Sequence, residues 1–277
     1  MATRSDYGQR EIEAAKSVLI ELVQILGEYR EQMVLIGGWV PFFLFGPEHV
    51  GSIDVDIALD REEITDDVYR TIRQHLETRG YVQGEQPFIF TRSVTIGAGA
   101  PIVVEVDFLA GEYGGTMKTH RHQTVQNNLK ARKARGCELA LEHHTTITVE
   151  GTMPGGAVNK VQVNLSEVVP FIVMKGMALH DRMKEKDSWD IYFCIKRFPD
   201  GATGLAKEFN RVIGNKLVQE GLGKIRAKFI AIDAYGPVSA AAFEEVGNIE
   251  ERDRIRRDAY EQVNALLDML DITEFKE

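Results

Sequence analysis

Residues 33–60 read MVLIGGWVPFFLFGPEHVGSIDVDIALD, an apolar strand ending in two glycines, then a second strand with two aspartates one residue apart. Side chains at i and i+2 of a strand share a face, so Asp54 and Asp56 point out of one side of the sheet while Val55 and Ile57 point into the core. Two carboxylates held this close repel unless a cation sits between them, and an all-oxygen site of this kind suits Mg²⁺ or Mn²⁺. Gly37 and Gly38, after Val34-Leu35-Ile36, allow a tight turn and a close approach of the main chain. Backbone N–H groups can then face a phosphate, especially where a helix starts at Trp39. The same residues also fit an ordinary solvated strand end.

Outward from this stretch, Ile12, Ala15, Val18, Leu19, Leu22, Val23 and Leu26 follow the helical repeat and predict a helix over 9–29 that docks on the sheet. Pro41 falls in the first turn of a short second helix, where its missing N–H has no helical partner to lose. Gly46-Pro47 ends that helix. Val68, Ile72 and Leu76 mark a third helix over 65–79, stopped by Gly80. Period-two alternation over 81–82, 88–90 and 93–96 predicts strands of a hairpin, and 102–109, IVVEVDFL, a stronger strand. In that strand Glu105 and Asp107 share a face. Acids in an apolar strand need a reason, since burying an unpaired carboxylate is costly.

At 277 residues, with 44% hydrophobic and 27% charged residues, the chain suits a water-soluble protein of one large or two modest domains. No segment approaches the roughly 20 apolar residues that span a bilayer. The N-terminal residues carry no apolar signal-peptide core, so the expected location is cytoplasmic, with no membrane partner. Cys137 and Cys194 stand apart without a metal-ligand spacing and are expected to be reduced. A net charge of −9 argues against binding nucleic acid over the whole surface. One segment runs against it. Residues 118–135, KTHRHQTVQNNLKARKAR, hold six basic side chains (Lys118, Arg121, Lys130, Arg132, Lys133 and Arg135) and no acid. That segregation fits contact with a phosphate backbone or a triphosphate, and equally a solvated basic helix paired with acids elsewhere. His120 and His122 lack a third ligand at useful spacing.

Residues 145–150 and 158–165 alternate around the turn GTMPGG as a further hairpin. Ser166-Glu167 then caps a helix with a break near Lys186, and from there the chain reads as helical to its end. The expected organisation is α+β, a mixed β-sheet flanked by helices over 1–165, followed by an α-helical C-terminal domain over 166–277. Lys175 and Arg182 lie at i and i+7 on one helix face, able to track a triphosphate, and Asp187 and Asp190 share a face one turn on. A salt-bridge ladder on a surface helix gives the same spacing.

The glycine pair, the spacer and Asp-Val-Asp resemble the nucleotidyltransferase superfamily, with Ser52 where that pattern often has Ser or Thr. The later residues Lys175, Ala178, Arg182, Lys186, Asp187, Asp190 and Tyr192 resemble the AbiEii/AbiGii toxin family within it, as K-x-x-A-x-x-x-R followed by K-D-x-x-D-hydrophobic-Y. The order of the motifs along the chain matches as well. The resemblance implies a nucleotidyltransferase-type sheet whose cleft the helical domain completes. It also implies transfer of a nucleotidyl group from an NTP to an acceptor hydroxyl, in some members the 3′ end of tRNA, in a toxin-like protein with a cognate antitoxin. A third carboxylate on a neighbouring strand falls to Asp107, with Glu105 as the alternative. Metal-assisted displacement at the α-phosphate follows, with Asp54, Asp56 and Asp107 as metal ligands. Gly37, Gly38, Ser52, Lys175, Arg182, Asp187 and Asp190 would hold the nucleotide, Lys175 also counting among the catalytic residues. The basic segment leans towards an RNA acceptor. A small-molecule, antibiotic-type nucleotidyltransferase and a catalytically silent nucleotide-binding or interaction module are the competing readings.

Overall fold

The computed structural model describes residues 3–60, 63–64, 66–112, 122–126 and 129–275. The chain divides into a sheet unit, Tyr7–Val40 with Gly51–Glu167, and a helical unit, Met1–Asp6 with Pro41–Val50 and Val168–Glu277.

The sheet unit opens with α1 (Gln9–Ile25), whose Ala15, Val18, Leu19, Leu22 and Val23 are buried. The helix predicted to reach residue 29 stops earlier, because Gly27 starts a 3-10 turn over Gly27–Gln32. Next come β1 (Met33–Ile36), α2 (Trp39–Phe45), β2 (Val55–Leu59) and α3 (Asp66–Thr78). After α3 run β3 (Val82–Gln83), β4 (Ile89–Val94) and β5 (Ile102–Ala110). Thr91 and Arg92 carry no turn chemistry, so the two short strands expected over 88–96 are one. The basic segment, for which a solvated helix is one reading above, supplies β6 (His122–Gln126) and β7 (Leu129–Lys133), an antiparallel pair, and Ala131 of β7 is buried. Its runs of lysine and arginine hid the period of two. The short helix α4 (Cys137–Glu142) leads to the hairpin β8 (His144–Thr152) and β9 (Val158–Ser166).

Among the described residues these strands form one mixed sheet in the order β3-β4-β5-β2-β1-β9-β8. At its centre β1 runs antiparallel to β2, and β2 parallel to β5. β4 pairs with β5 as far as Asp107, and β7 takes over the same edge at Leu109 and Ala110. Val55, Ile57, Val104, Val106 and Phe108 are all buried, which is why strands this apolar hold the middle of the sheet. α1 packs across β2, β4, β5, β8 and β9.

The helical unit takes in the end of α2 and then α5 (Val168–Arg182), α6 (Glu185–Arg197) and α7 (Gly201–Asn210). It closes with α8 (Lys216–Lys228), α9 (Tyr235–Phe243) and α10 (Ile249–Met269). The break between α5 and α6 is made by Met183, whose φ of +49° stops the helix. α5 packs on α8 through facing glycines. A Cβ on Gly221 would fall 2.9 Å from the Val173 carbonyl oxygen, so the two backbones meet at a distance only glycine allows. Asn215 and Asn248 cap α8 and α10, accepting from Leu217 N at 2.8 Å and Glu250 N at 2.9 Å. Cys137 and Cys194 are buried free thiols. Among the described residues no helix is long and apolar enough to cross a membrane.

Candidate active site

The carboxylates of the sheet unit are assembled by register. Ile36, the last residue of β1, pairs with Asp56, and Asp56 in turn pairs with Asp107 on the parallel neighbour β5. Partners in register point the same way, so Asp56 and Asp107 stand side by side on one face. Glu105 lies one strand repeat further along and pairs with Thr91 of β4, away from the aspartate pair. Asp54 precedes β2. Its side chain accepts a short hydrogen bond from Ser52 Oγ, and its carbonyl accepts from Trp39 Nε1 at 2.8 Å. The first residue of α2 therefore fixes the backbone at Asp54.

The glycine turn closes against this cluster. Gly37 has φ +72°, and its carbonyl accepts from Val40 N at 3.1 Å, so α2 starts immediately after the turn. A Cβ at Gly37 would collide with the Asp56 carboxylate. The glycine is required twice over, by its backbone angle and by the space Asp56 occupies.

Asp107 is the most constrained member. Burial pushes its carboxyl up to about 7. The Arg132 guanidinium opposes that rise, and the charges of Asp56, Asp54 and Glu105 add to it. Arg132 Nη2 lies 2.8 Å from Asp107 Oδ2, while Asp107 Oδ1 and Arg132 Nε are buried without a hydrogen-bond partner. Arg132, counted above with the acceptor-side basic residues, thus sits at the carboxylates. Sequence reasoning gave it no such part, since Arg132 is one of three basic residues in β7 and nothing in the sequence singles it out.

The donor set is all oxygen, and a buried carboxylate oxygen without a partner is what a bound cation would satisfy, so these residues fit Mg²⁺ or Mn²⁺. Among the described residues no group of three or more His, Cys, Asp or Glu side chains is placed to hold a metal ion, so Asp54, Asp56 and Asp107 do not form a ready three-carboxylate set. Mg²⁺ is commonly held by one or two carboxylates with substrate phosphates completing the shell, and Asp56 with Asp107 is the pair that would hold it here.

Of the remaining acceptor-side residues, Arg135 pairs at the surface with Glu112 at 3.2 Å, and Lys133 ends β7. Lys118 and Arg121 lie outside the described residues, and Lys130 is described only as part of β7. A cavity of about 360 Å³, lined by Glu13, Lys16, Val94, Gly151 and Met153 among others, lies elsewhere. Register puts Ile89 beside Asp107 and Val94 beside Ile102, five residues or about 17 Å along β4, so the cavity is at the other end of the strands.

In the helical unit the motif residues form a buried ionic cluster. Lys175 Nζ lies 2.7 Å from both Asp187 Oδ1 and Asp190 Oδ2. Arg182 grips Asp187 through Nε at 2.9 Å and Nη2 at 3.0 Å, and Lys186 Nζ lies 3.0 Å from Asp190 Oδ1. His49 Nε2 completes the shell of Asp190 at 2.9 Å, its ring tilted over Trp189 at 4.9 Å between centroids. Burial works against every charge here. Even so, Asp187 and Asp190 hold Lys175 above the ordinary lysine range, and Lys175 with the other cations holds both aspartates below theirs. Burial lowers His49 to about 4, its bond to Asp190 only partly offsetting it, so His49 is neutral at pH 7 and donates from Nε2 to the carboxylate. Three cations face two carboxylates, and the exposed member is Arg182, whose side chain is 39% accessible against 11% for Lys175. The spacing alone also fitted a ladder on an exposed helix, but the group is buried. His49 was not anticipated, since 141 positions separate it from Asp190.

A family model described as nucleotidyl transferase AbiEii toxin, type IV TA system, matches residues 22–275. Solved structures similar to the chain include an antigenic nucleotidyltransferase-like protein from Paracoccidioides brasiliensis, 17% identical, covering 74% of this chain and 92% of that one at a TM-score of 0.40. A second is an H. pylori protein described as a nucleotidyltransferase, 11% identical, covering 94% and 99% at a TM-score of 0.41. No curated protein matches.

Proposed function

The chain belongs to the AbiEii family of nucleotidyltransferase toxins of type IV toxin–antitoxin systems, and from that premise we propose that it is a metal-dependent enzyme moving a nucleotidyl group from an NTP to a hydroxyl of RNA, the 3′ end of tRNA. The observation that carries this reading is the register pairing of Asp56 with Asp107, with Gly37 closed against Asp56. Mg²⁺ or Mn²⁺ bound at these carboxylates supplies the positive charge that acidifies the acceptor hydroxyl and offsets charge building on the phosphate.

The chain's own residues do the rest. Asp54, Asp56 and Asp107 bind and orient at the reacting phosphate, and Ser52 and Trp39 hold Asp54 in place. Backbone N–H groups at Gly37 and Gly38, at the start of α2, receive phosphate oxygens. The acceptor hydroxyl gives up its proton to water, its oxygen bonds to the α-phosphorus as the bond from that phosphorus to the α,β-bridging oxygen breaks, and pyrophosphate leaves. Lys175, Arg182, Asp187 and Asp190 serve the nucleotide. Arg182, the exposed cation, contacts phosphate, while Lys175 is fixed by its two aspartates and contributes oriented charge. Lys118, Arg121, Lys130, Lys133 and Arg135 supply backbone contacts to the RNA, Arg132 being engaged at Asp107. A cognate antitoxin and a cytoplasmic setting belong to the same proposal.

The test is incubation with each α-labelled NTP, Mg²⁺ and total RNA, followed by separation of RNA, protein and small-molecule products. Label in RNA, lost with Asp56→Asn and with chelator, is the expected result. Label only in small molecules overturns the RNA acceptor, and label nowhere overturns the enzyme.

A further inference from the structure

We propose that Arg132 is a positioning residue for the cation site, holding Asp107 by one carboxylate oxygen so that the other is presented to the metal. The inference rests on the reading of Asp107 as a metal ligand. Two facts about one side chain carry it. Oδ2 is taken by Arg132 Nη2 at 2.8 Å, and Oδ1 is buried with nothing bound to it. A carboxylate free to turn would share its oxygens between solvent and guanidinium. This one is locked, and it leaves a desolvated acceptor on the strand face it shares with Asp56. A guanidinium that competed with the cation for the carboxylate would explain the first fact and leave the second without a cause.

The sheet topology explains how the lock is built. β7 joins the free edge of β5 just beyond the end of β4 and pairs Arg132 with Leu109, two residues after Asp107. Leu109 and Asp107 share a face, so Arg132 projects on the carboxylate side and its long side chain reaches back one strand repeat. The β6–β7 pair is thereby tied to the cation site. Ligating carboxylates held by an outer partner lose about 10- to 100-fold in metal affinity when that partner is removed.

The experiment measures Mn²⁺ binding to the full chain without nucleotide, by electron paramagnetic resonance of free Mn²⁺, for wild type, Arg132→Gln, Arg132→Lys, Asp107→Asn and the Arg132→Gln/Asp107→Asn double variant. The expected result is a loss of about 10- to 100-fold with Arg132→Gln, partial recovery with Arg132→Lys, and no further loss when Arg132→Gln is added to Asp107→Asn. A merely structural defect would add to the loss in the double variant, and that outcome overturns the inference. So does wild-type or tighter binding by Arg132→Gln while Asp107→Asn binds weakly, which leaves the metal-ligand reading intact. Equal binding by wild type and Asp107→Asn overturns that reading and the inference with it.

Discussion

Asp56 on β2 and Asp107 on β5 are register partners on adjacent parallel strands, and the Asp56 carboxylate fills the space a Cβ on Gly37 would need. Two acids and a glycine, from three parts of the chain, are thus fixed by main-chain pairing rather than by side-chain reach.

A pair of carboxylates facing one another should respond to a divalent cation in the stability of the protein as well as in its activity. Mg²⁺ or Mn²⁺ at about 100 times its dissociation constant stabilises the folded state by about 2.7 kcal/mol. In a chain of this size that is a rise of several degrees in the unfolding midpoint, reversed by EDTA. Asp56→Asn and Asp107→Asn should each lose most of this rise in thermal scans. An unchanged rise in both variants would show that the cation binds elsewhere.

Gly37→Ala should be the most damaging small substitution in the sheet unit. A left-handed alanine costs about 1–2 kcal/mol, and its methyl group must push Asp56 aside. A shift of about 1 Å in a catalytic group can cost about 100-fold in rate. The expected variant is folded by circular dichroism, slightly less stable, and at least about 10-fold slower in nucleotidyl transfer. Gly46→Ala, also at positive φ but with open space around its Cβ, is the control for backbone strain alone.

The sequence shows the glycine turn and the Asp54–Asp56 spacing because both are local: a period of two and a glycine pair survive in one dimension. It cannot separate Glu105 from Asp107, which share a face, because only the pairing of β5 with β2 puts Asp107 opposite Asp56. The β6–β7 pair is harder still. The one side chain there described as buried, Ala131, is small and set among lysines and arginines, so charge dominates the reading. His49 has no local signature. It sits in a loop and acquires meaning only from a carboxylate on α6.

Breaking the ionic cluster of the helical unit should cost far more than its place in a charged motif suggests. Asp190→Ala leaves Lys186, Lys175 and His49 facing a gap, and removing one member of a buried charged set typically costs about 3–5 kcal/mol. Asp190→Asn keeps an acceptor for His49 and should cost less. Denaturant unfolding followed by fluorescence of Trp189, which lies against His49, reports the loss. A change below about 1 kcal/mol for Asp190→Ala would mean the cluster is solvated.

His49 gives the same unit a specific sensitivity to acid. Burial holds it near 4 against an ordinary 6.5, with the Asp190 bond acting upward and Lys186 and Lys175 acting downward. Above pH 6.5 the imidazole is neutral in both folded and unfolded chains and has no effect on the balance. As pH falls from 6.5 towards 4 the unfolded chain takes up a proton that the folded chain refuses, so stability declines across that window. The decline reaches about 3 kcal/mol at pH 4, at 1.36 kcal/mol for each unit of depression. Asp187 and Asp190 act in a separate range. Their folded values lie below the ordinary 3.8, so the stability they add is present above that pH and is lost below it. Denaturant unfolding at pH 7, 6, 5 and 4 should therefore show a slope in wild type that His49→Gln flattens, while both proteins weaken together below pH 4. Equal slopes in the two proteins between pH 6.5 and 4 would mean that His49 takes up its proton in the folded state as readily as in water.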